Sequence, residues 1–100
     1  MIQVIYRWKV KAGQEDTFAR AWTRGTVSIR ATFKGAYGSV LLRSRKDPSE
    51  FVGVATWESL EDCRAFWASE PPDPDAFRTV AATGTFLSRE IFDEIRDLEL

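Results

Sequence analysis

Apolar and polar side chains alternate along the N-terminal segment of the chain. The apolar positions are Ile2, Val4, Tyr6, Trp8 and Val10, and most residues between them are polar. Successive side chains of a β-strand point to opposite faces, so this two-residue period predicts a strand with one buried face. The strand ends at the turn Lys11-Ala12-Gly13, and Arg7 falls on the face opposite Tyr6.

A helical spacing of apolar residues follows this turn. The apolar positions are Phe18, Trp22, Ile29 and Phe33. Their spacing predicts a long helix from Gln14 to about Phe33, which also carries Arg30. Gly25 lies inside it, where glycine costs about 1 kcal/mol relative to alanine. We therefore expect another element to pack closely against Gly25.

The segment from Phe51 to Trp67 changes from a strand pattern to a helix pattern. Phe51, Gly53, Ala55 and Trp57 alternate with Val52, Val54 and Thr56, so this strand has apolar or small residues on both faces. Ser59 and Asp62 then have the spacing of a capping box, which predicts the start of a second helix. A further strand is expected from Tyr37 to Ser44, joined to Phe51 by a polar turn of hairpin length.

The C-terminal segment fits two patterns. Prolines at 71, 72 and 74 end the second helix, and a short helix is predicted from Asp75 to Thr83. Leu87, Ile91, Ile95 and Leu98 have helical spacing, but Ile91, Phe92 and Ile95 also fit a short strand. A strand would complete the β-α-β-β-α-β order of a ferredoxin-like fold.

This order predicts a single α+β domain over residues 1–100, with an antiparallel sheet and helices on one face. The third strand is apolar on both faces, and so is the middle of the second. An uncovered apolar face of this size usually marks an interface, and a second copy of the chain is the simplest partner. We therefore expect a homodimer in which two sheets pack face to face.

Charge and residue usage exclude several classes of function. A net charge of −1 gives no electrostatic attraction to nucleic acid or to an anionic membrane. No apolar run approaches the length of a spanning helix, and the N-terminus does not resemble a signal peptide, so we expect a cytosolic protein. The chain has no histidine and a single cysteine, Cys63, which we expect to be a buried thiol. No metal site is predicted.

Several short motifs, in this order along the chain, carry a family resemblance. They are Lys11-Ala12-Gly13, the Gly35 to Arg43 segment, Asp47-Pro48-Ser49-Glu50-Phe51 and Trp57-Glu58-Ser59. Together they resemble the antibiotic biosynthesis monooxygenase family of dimeric α+β barrels. The resemblance implies that the last element is a strand, which we place from Ser88 to about Arg96.

The resemblance also implies possible activities. Some members of the family oxidise aromatic polyketides with dioxygen and no cofactor, whereas others degrade haem. The haem-degrading pattern requires an asparagine, a tryptophan and a histidine. Here Tyr6 and Phe66 occupy the first two positions, and the histidine has no counterpart. We therefore expect no haem degradation and no bound cofactor.

The candidate site is aromatic. Small residues between aromatic ones on a buried strand face leave room for a planar ligand, and Tyr and Trp can orient it with their polar ends. The predicted substrate-binding residues are Tyr6, Trp22, Gly53, Ala55, Trp57, Phe66 and Trp67. Tyr6, Trp57 and Phe66 are also the catalytic candidates. Arg7 and Arg30 could stabilise an anion, although surface positions are expected for both.

Two functions are consistent with these residues. The first is a cofactor-independent monooxygenase that acts on a small planar aromatic or quinone-like molecule. The second is a dimeric barrel that binds a small apolar ligand without catalysis. A pocket lined by polar side-chain ends favours the enzyme, and a pocket filled by Trp22 and Phe66 favours the binding module.

Overall fold

The computed structural model describes residues 1–98. The strands are β1 (Ile2–Val10), β2 (Ala36–Arg43), β3 (Glu50–Trp57) and β4 (Gly84–Asp93), and the helices are α1 (Glu15–Thr32), α2 (Leu60–Trp67) and α3 (Pro74–Thr83). The four strands form one antiparallel sheet in the order β2-β3-β1-β4. The helices cover one face of the sheet. This is the predicted ferredoxin-like α+β fold, with α3 added before the last strand.

The last element is a strand, as the resemblance implied, but its predicted bounds were wrong. β4 runs from Gly84 to Asp93, instead of Ser88 to about Arg96. It begins early because Gly84 ends α3 in an extended conformation, with φ −136 and ψ 146, and the chain enters the sheet without a loop. The register with β1 also shifts between Arg7 and Trp8. This bulge adds a residue to β4.

The core lies between the sheet and the helices and contains the residues that the β1 and β3 patterns placed inward. Its buried residues include Ile2, Val4, Trp8, Val10, Phe18, Phe51, Trp57 and Cys63. Phe18 is fully buried and packs edge-to-face on Trp8 and Phe51, with ring centroids 5.3 and 5.5 Å apart. Such aromatic pairs contribute about 0.5–1.5 kcal/mol each beyond the area that they bury.

Gly25 lies where α1 and α3 approach each other. A Cβ atom at Gly25 would come within 3.1 Å of the Phe77 ring on α3. The expected close neighbour is therefore confirmed.

On α2, Ser59 caps the helix start because its Oγ accepts a hydrogen bond from the Asp62 N–H at 3.1 Å. α2 in turn buries Cys63, as the sequence predicted.

The opposite face of the sheet carries no helix in residues 1–98. Val40, Leu42 and Phe92 on this face are about half exposed, at 52%, 49% and 46%. Arg7 lies among them and pairs with Glu50 at 3.4 Å and Glu90 at 3.2 Å. Arg7 is therefore a surface residue that points away from the helices.

Within the described residues, no helix combines the length and hydrophobicity needed to cross a membrane.

Candidate functional site

A cavity of about 280 Å³ lies between the covered face of the sheet and the helices. All four strands and all three helices contribute residues to its wall. Its volume is close to the lower end of the roughly 300–1,000 Å³ typical of small-molecule sites. The cavity is therefore large enough for a small ring system.

The structure brings every predicted site residue to this one cavity. Its wall includes Tyr6, Trp22, Gly53, Ala55, Trp57, Phe66 and Trp67. The proximity follows from the β1–β3 register, which pairs Tyr6 with Gly53 and Val4 with Ala55. Inward positions of neighbouring antiparallel strands lie side by side, so aromatic and small residues alternate across the cavity floor. Whether these residues bind a substrate remains a prediction.

The space directly above Gly53 is filled, contrary to the sequence-based expectation. A Cβ atom at Gly53 would lie 3.1 Å from the Trp8 ring and 3.2 Å from Nε1 of Trp22. Gly53 is therefore required for the close approach of these two rings. The cavity lies beside this contact, and a Gly53→Val substitution would push the rings apart before it excluded any ligand.

Tyr6 and Trp67 form the best-defined polar pair of the cavity. The Trp67 Nε1–H donates a hydrogen bond to the Tyr6 hydroxyl at 3.1 Å. Burial raises the pKa of Tyr6, while the bond from Trp67 and the nearby charge of Arg89 oppose this rise. Tyr6 is therefore a phenol at neutral pH. Its own O–H has no acceptor among residues 1–98 and remains able to donate into the cavity.

Arg89 is a site residue that the sequence did not indicate. Its guanidinium carbon lies 3.7 Å from the centre of the Trp67 ring, which is a close cation–π contact. Arg89 pairs with Tyr6 in the β1–β4 register and lines the cavity. Strict alternation from Gly84 and Phe86 would have turned it outward. Only the β4 bulge puts it on the helix-covered face.

The remaining aromatic candidates serve partly as core. Trp57 is only 2% exposed and stacks on Phe66, with centroids 5.8 Å apart and an interplanar angle of 16°. Phe66 also packs edge-to-face on Phe33 and Phe77. Both residues have a structural role as well as a place on the wall, and neither offers a group that exchanges protons near neutral pH.

The charge on the cavity wall is of one sign. Arg30 and Arg89 line it, while no Asp, Glu or Lys of the described residues does. Arg30 thus reaches the cavity while remaining exposed at the end of α1. No group of three or more His, Cys, Asp or Glu within residues 1–98 is placed to hold a metal ion. The wall is suited to a planar molecule with hydrogen-bond acceptors or negative charge.

Comparison with solved structures shows the same fold across nearly the whole chain. SnoaB, a cofactor-independent oxygenase from Streptomyces nogalater, is 23% identical with a TM-score of 0.79, and 97% of this chain and 95% of that chain are covered. A candidate antibiotic biosynthesis monooxygenase from Nitrosomonas europaea is 26% identical with a TM-score of 0.69, covering 96% and 100%. Another from Deinococcus radiodurans is 13% identical with a TM-score of 0.78, covering 100% and 98%.

Comparison of the sequence with protein-family profiles identifies the family. None of the curated proteins matches the chain. The sequence profile of the antibiotic biosynthesis monooxygenase family, however, matches residues 1–83. That span includes β1, α1, the β2–β3 hairpin, α2 and α3, and therefore most of the cavity wall. The chain belongs to the antibiotic biosynthesis monooxygenase family.

Proposed function

We propose that this protein is a cofactor-independent monooxygenase that acts on a small planar aromatic or quinone-like molecule. The observation that carries the proposal is the cavity, which combines flat aromatic walls with the donors of Tyr6 and Arg89 at one side. Family membership and the similarity to SnoaB, a cofactor-independent oxygenase, support the type of reaction.

The reaction uses electrons that the substrate supplies. An activated ring CH₂ loses a proton to water or buffer to give an enolate, which attacks dioxygen, and protonation of the resulting peroxide by water gives a hydroperoxide. The O–O bond then breaks with loss of water, leaving a carbonyl. One oxygen atom of dioxygen enters the product and the other leaves as water.

The protein contributes orientation and charge stabilisation to this reaction. Trp67 and Phe66 are positioned to hold a flat ring, and Tyr6 O–H and the Arg89 guanidinium donate to the oxygen on which negative charge develops. Tyr6 is thus expected to act as a hydrogen-bond donor to the substrate, since its raised pKa makes it a poor base at neutral pH.

Oxygen uptake with anthrone tests this function. Anthrone has one activated CH₂ between aromatic rings, and oxidation to anthraquinone consumes one dioxygen and releases one water. Chelator-treated protein should consume oxygen faster than anthrone alone. Ala55→Leu, which fills part of the cavity, should remove the enhancement, whereas Ala31→Leu on the exposed side of α1 should not. Uptake equal to that of the protein-free solution would refute the proposal.

We also propose that the working form is a homodimer. The uncovered sheet face supports this, because Val40, Leu42 and Phe92 leave apolar surface in water there. Light scattering after size exclusion at micromolar concentration should give twice the 11.4 kDa chain mass. Leu42→Glu should shift the protein toward monomer, and a monomer in the wild type would contradict the proposal.

The alternative is a binding module without catalysis. One observation favours it, since no side chain on the cavity wall within residues 1–98 is a base at neutral pH. Saturable binding of planar aromatic molecules without oxygen uptake, across several substrates that ionise readily, would establish this alternative over the enzyme.

A further inference from the structure

We propose that four aromatic side chains of the cavity wall form an electron-transfer chain, which gives one electron to an organic peroxyl radical in the cavity. The members of this aromatic chain, in order, are Trp67, Tyr6, Trp8 and Trp22. The source of the radical rests on the proposed function, because the radical is a by-product of the proposed oxygenation. The contacts between the rings are a property of the fold and do not depend on that function.

Each member of the aromatic chain lies close to the next. The Trp67 Nε1–H donates to the Tyr6 hydroxyl at 3.1 Å. The Tyr6 ring stacks on Trp8, with centroids 5.8 Å apart and an interplanar angle of 18°. The Trp8 and Trp22 rings both approach the point where a Cβ atom of Gly53 would lie, at 3.1 and 3.2 Å. Electron tunnelling slows steeply with distance, so this unbroken series of close approaches supports rapid transfer.

The two ends of the aromatic chain differ in charge. The guanidinium carbon of Arg89 lies 3.7 Å from the Trp67 ring centre, so a cation radical on Trp67 would be repelled by a like charge. Among residues 1–98, no cationic side chain lies over the Trp8 or Trp22 ring. Arg30 is two turns further along α1 than Trp22, or about 12 Å, where salt screens its charge. Loss of an electron is therefore easier at the Trp22 end.

Access to water favours the same end. An oxidised indole is a strong acid at Nε1–H, so the oxidation settles where a proton acceptor is present. The Trp67 Nε1–H faces the Tyr6 hydroxyl, which is not a base. Trp22 is partly exposed, and its Nε1 has no partner among residues 1–98. Because no buried side-chain nitrogen of those residues lacks a partner, water reaches the Trp22 Nε1–H and can accept its proton.

The electrons and protons of this transfer balance. When the enolate reduces dioxygen, the ring radical and superoxide sometimes separate instead of joining, and a second dioxygen adds to the ring radical to give the peroxyl radical. One electron from the aromatic chain converts it to the peroxide anion, which water protonates to the hydroperoxide of the proposed reaction. Trp22 loses that electron, and its indole proton goes to water. A thiol or ascorbate in solution then returns one electron and one proton to Trp22.

A photo-oxidant attached beside Trp67 tests the aromatic chain without any substrate. Ala68 is exposed and directly follows Trp67, so Ala68→Cys in a Cys63→Ala background provides one thiol for a ruthenium polypyridyl label. A light flash with a cobalt(III) electron acceptor produces the oxidising ruthenium(III) state. Transient absorption should show a tryptophanyl radical. Peptide mapping by mass spectrometry after repeated flashes under air should locate the oxidation products on Trp22.

Three variants determine the route. Trp8→Phe keeps an aromatic ring but removes the oxidisable indole, so the oxidation products should stay on Trp67 and those on Trp22 should fall to the level of unflashed protein. Trp22→Phe, at a partly exposed helix position, should move the products to Trp8. Trp57→Phe is the matched control, because Trp57 belongs to the same core but stacks on Phe66, outside the aromatic chain. It should leave the products on Trp22 unchanged. Thermal unfolding checks that each variant is folded.

The proposal is overturned if the flashed protein is oxidised at Trp67 alone, if Trp22 is oxidised equally in Trp8→Phe, or if Trp57→Phe abolishes the oxidation of Trp22. The proposed function is read out separately, because the flash experiment uses neither anthrone nor turnover. Its failure would leave the monooxygenase intact. Oxidation of Trp22 without anthrone-dependent oxygen uptake would refute the enzyme and the peroxyl radical source, and would retain the electron-transfer chain.

Discussion

Removal of the Tyr6 hydroxyl tests whether the Tyr6–Trp67 pair holds α2 over the cavity. In Tyr6→Phe, the Trp67 Nε1–H loses the acceptor that now lies 3.1 Å away. The cost has two parts, a lost hydrogen bond of about 0.5–1.5 kcal/mol and the desolvation of an unpaired donor, which is partly relieved because Trp67 is not fully buried. We expect a loss of about 1 kcal/mol in unfolding free energy, or about 4–8 °C in Tm for a domain of this size.

The matched control is Tyr37→Phe. The Tyr37 hydroxyl donates to Glu58 Oε2 at 2.6 Å, but this pair is exposed. Its removal should change stability less than removal of the Tyr6 hydroxyl does, because both partners remain solvated. A double-mutant cycle of Tyr6→Phe with Trp67→Phe then isolates the coupling energy. If Tyr6→Phe costs no more than Tyr37→Phe, or if the cycle gives zero coupling, the hydrogen bond does not anchor α2.

Three further predictions concern the scaffold and its chemistry. Gly13 and Gly35 both have positive φ, at 83 and 81, but of the two only Gly35 faces a neighbour, the Asp62 carboxylate. In urea denaturation, Gly13→Ala should lower the unfolding free energy by about 1 kcal/mol. Gly35→Ala should lower it by about 1–3 kcal/mol more, because its new methyl group would also meet Asp62. Burial raises the pKa of Cys63 from 9.0 to about 11, so its contribution to stability is present below pH 9.0 and is lost as the pH rises toward 11, a decline that Cys63→Ala should lessen. Haem with a reductant under air should yield no biliverdin-like absorbance, and turnover would contradict the expected lack of haem degradation.

The sequence predicts the cavity floor because two strands keep a strict two-residue period. The apolar alternation of β1 and β3 determines which side chains point inward, and antiparallel pairing then puts Tyr6 beside Gly53. Residue types at known faces of neighbouring strands are sufficient for that inference. The apolar spacing along α1 contributes Trp22 in the same way.

The features that sequence analysis missed depend on irregular backbone or on side-chain size. Arg89 reaches the cavity only through the bulge in β4, and no local residue pattern marks a bulge there. The early start of β4 at Gly84 depends on a helix that passes into a strand without a loop. The filled space above Gly53 depends on how far the Trp8 and Trp22 rings extend, which a pattern of polarity does not contain.

Isotope labelling determines whether the protein transfers an oxygen atom of dioxygen to its substrate. Chelator-treated protein is incubated with anthrone under ¹⁸O₂. Mass spectrometry then measures the amount and the ¹⁸O content of the anthraquinone formed, and a protein-free reaction serves as the reference. We expect protein-dependent product that carries one ¹⁸O atom, with the second ¹⁸O atom recovered in water. In Ala55→Leu, this protein-dependent product should be lost. Product formed no faster than without protein, or product whose new oxygen comes from solvent, would contradict the assignment as a monooxygenase.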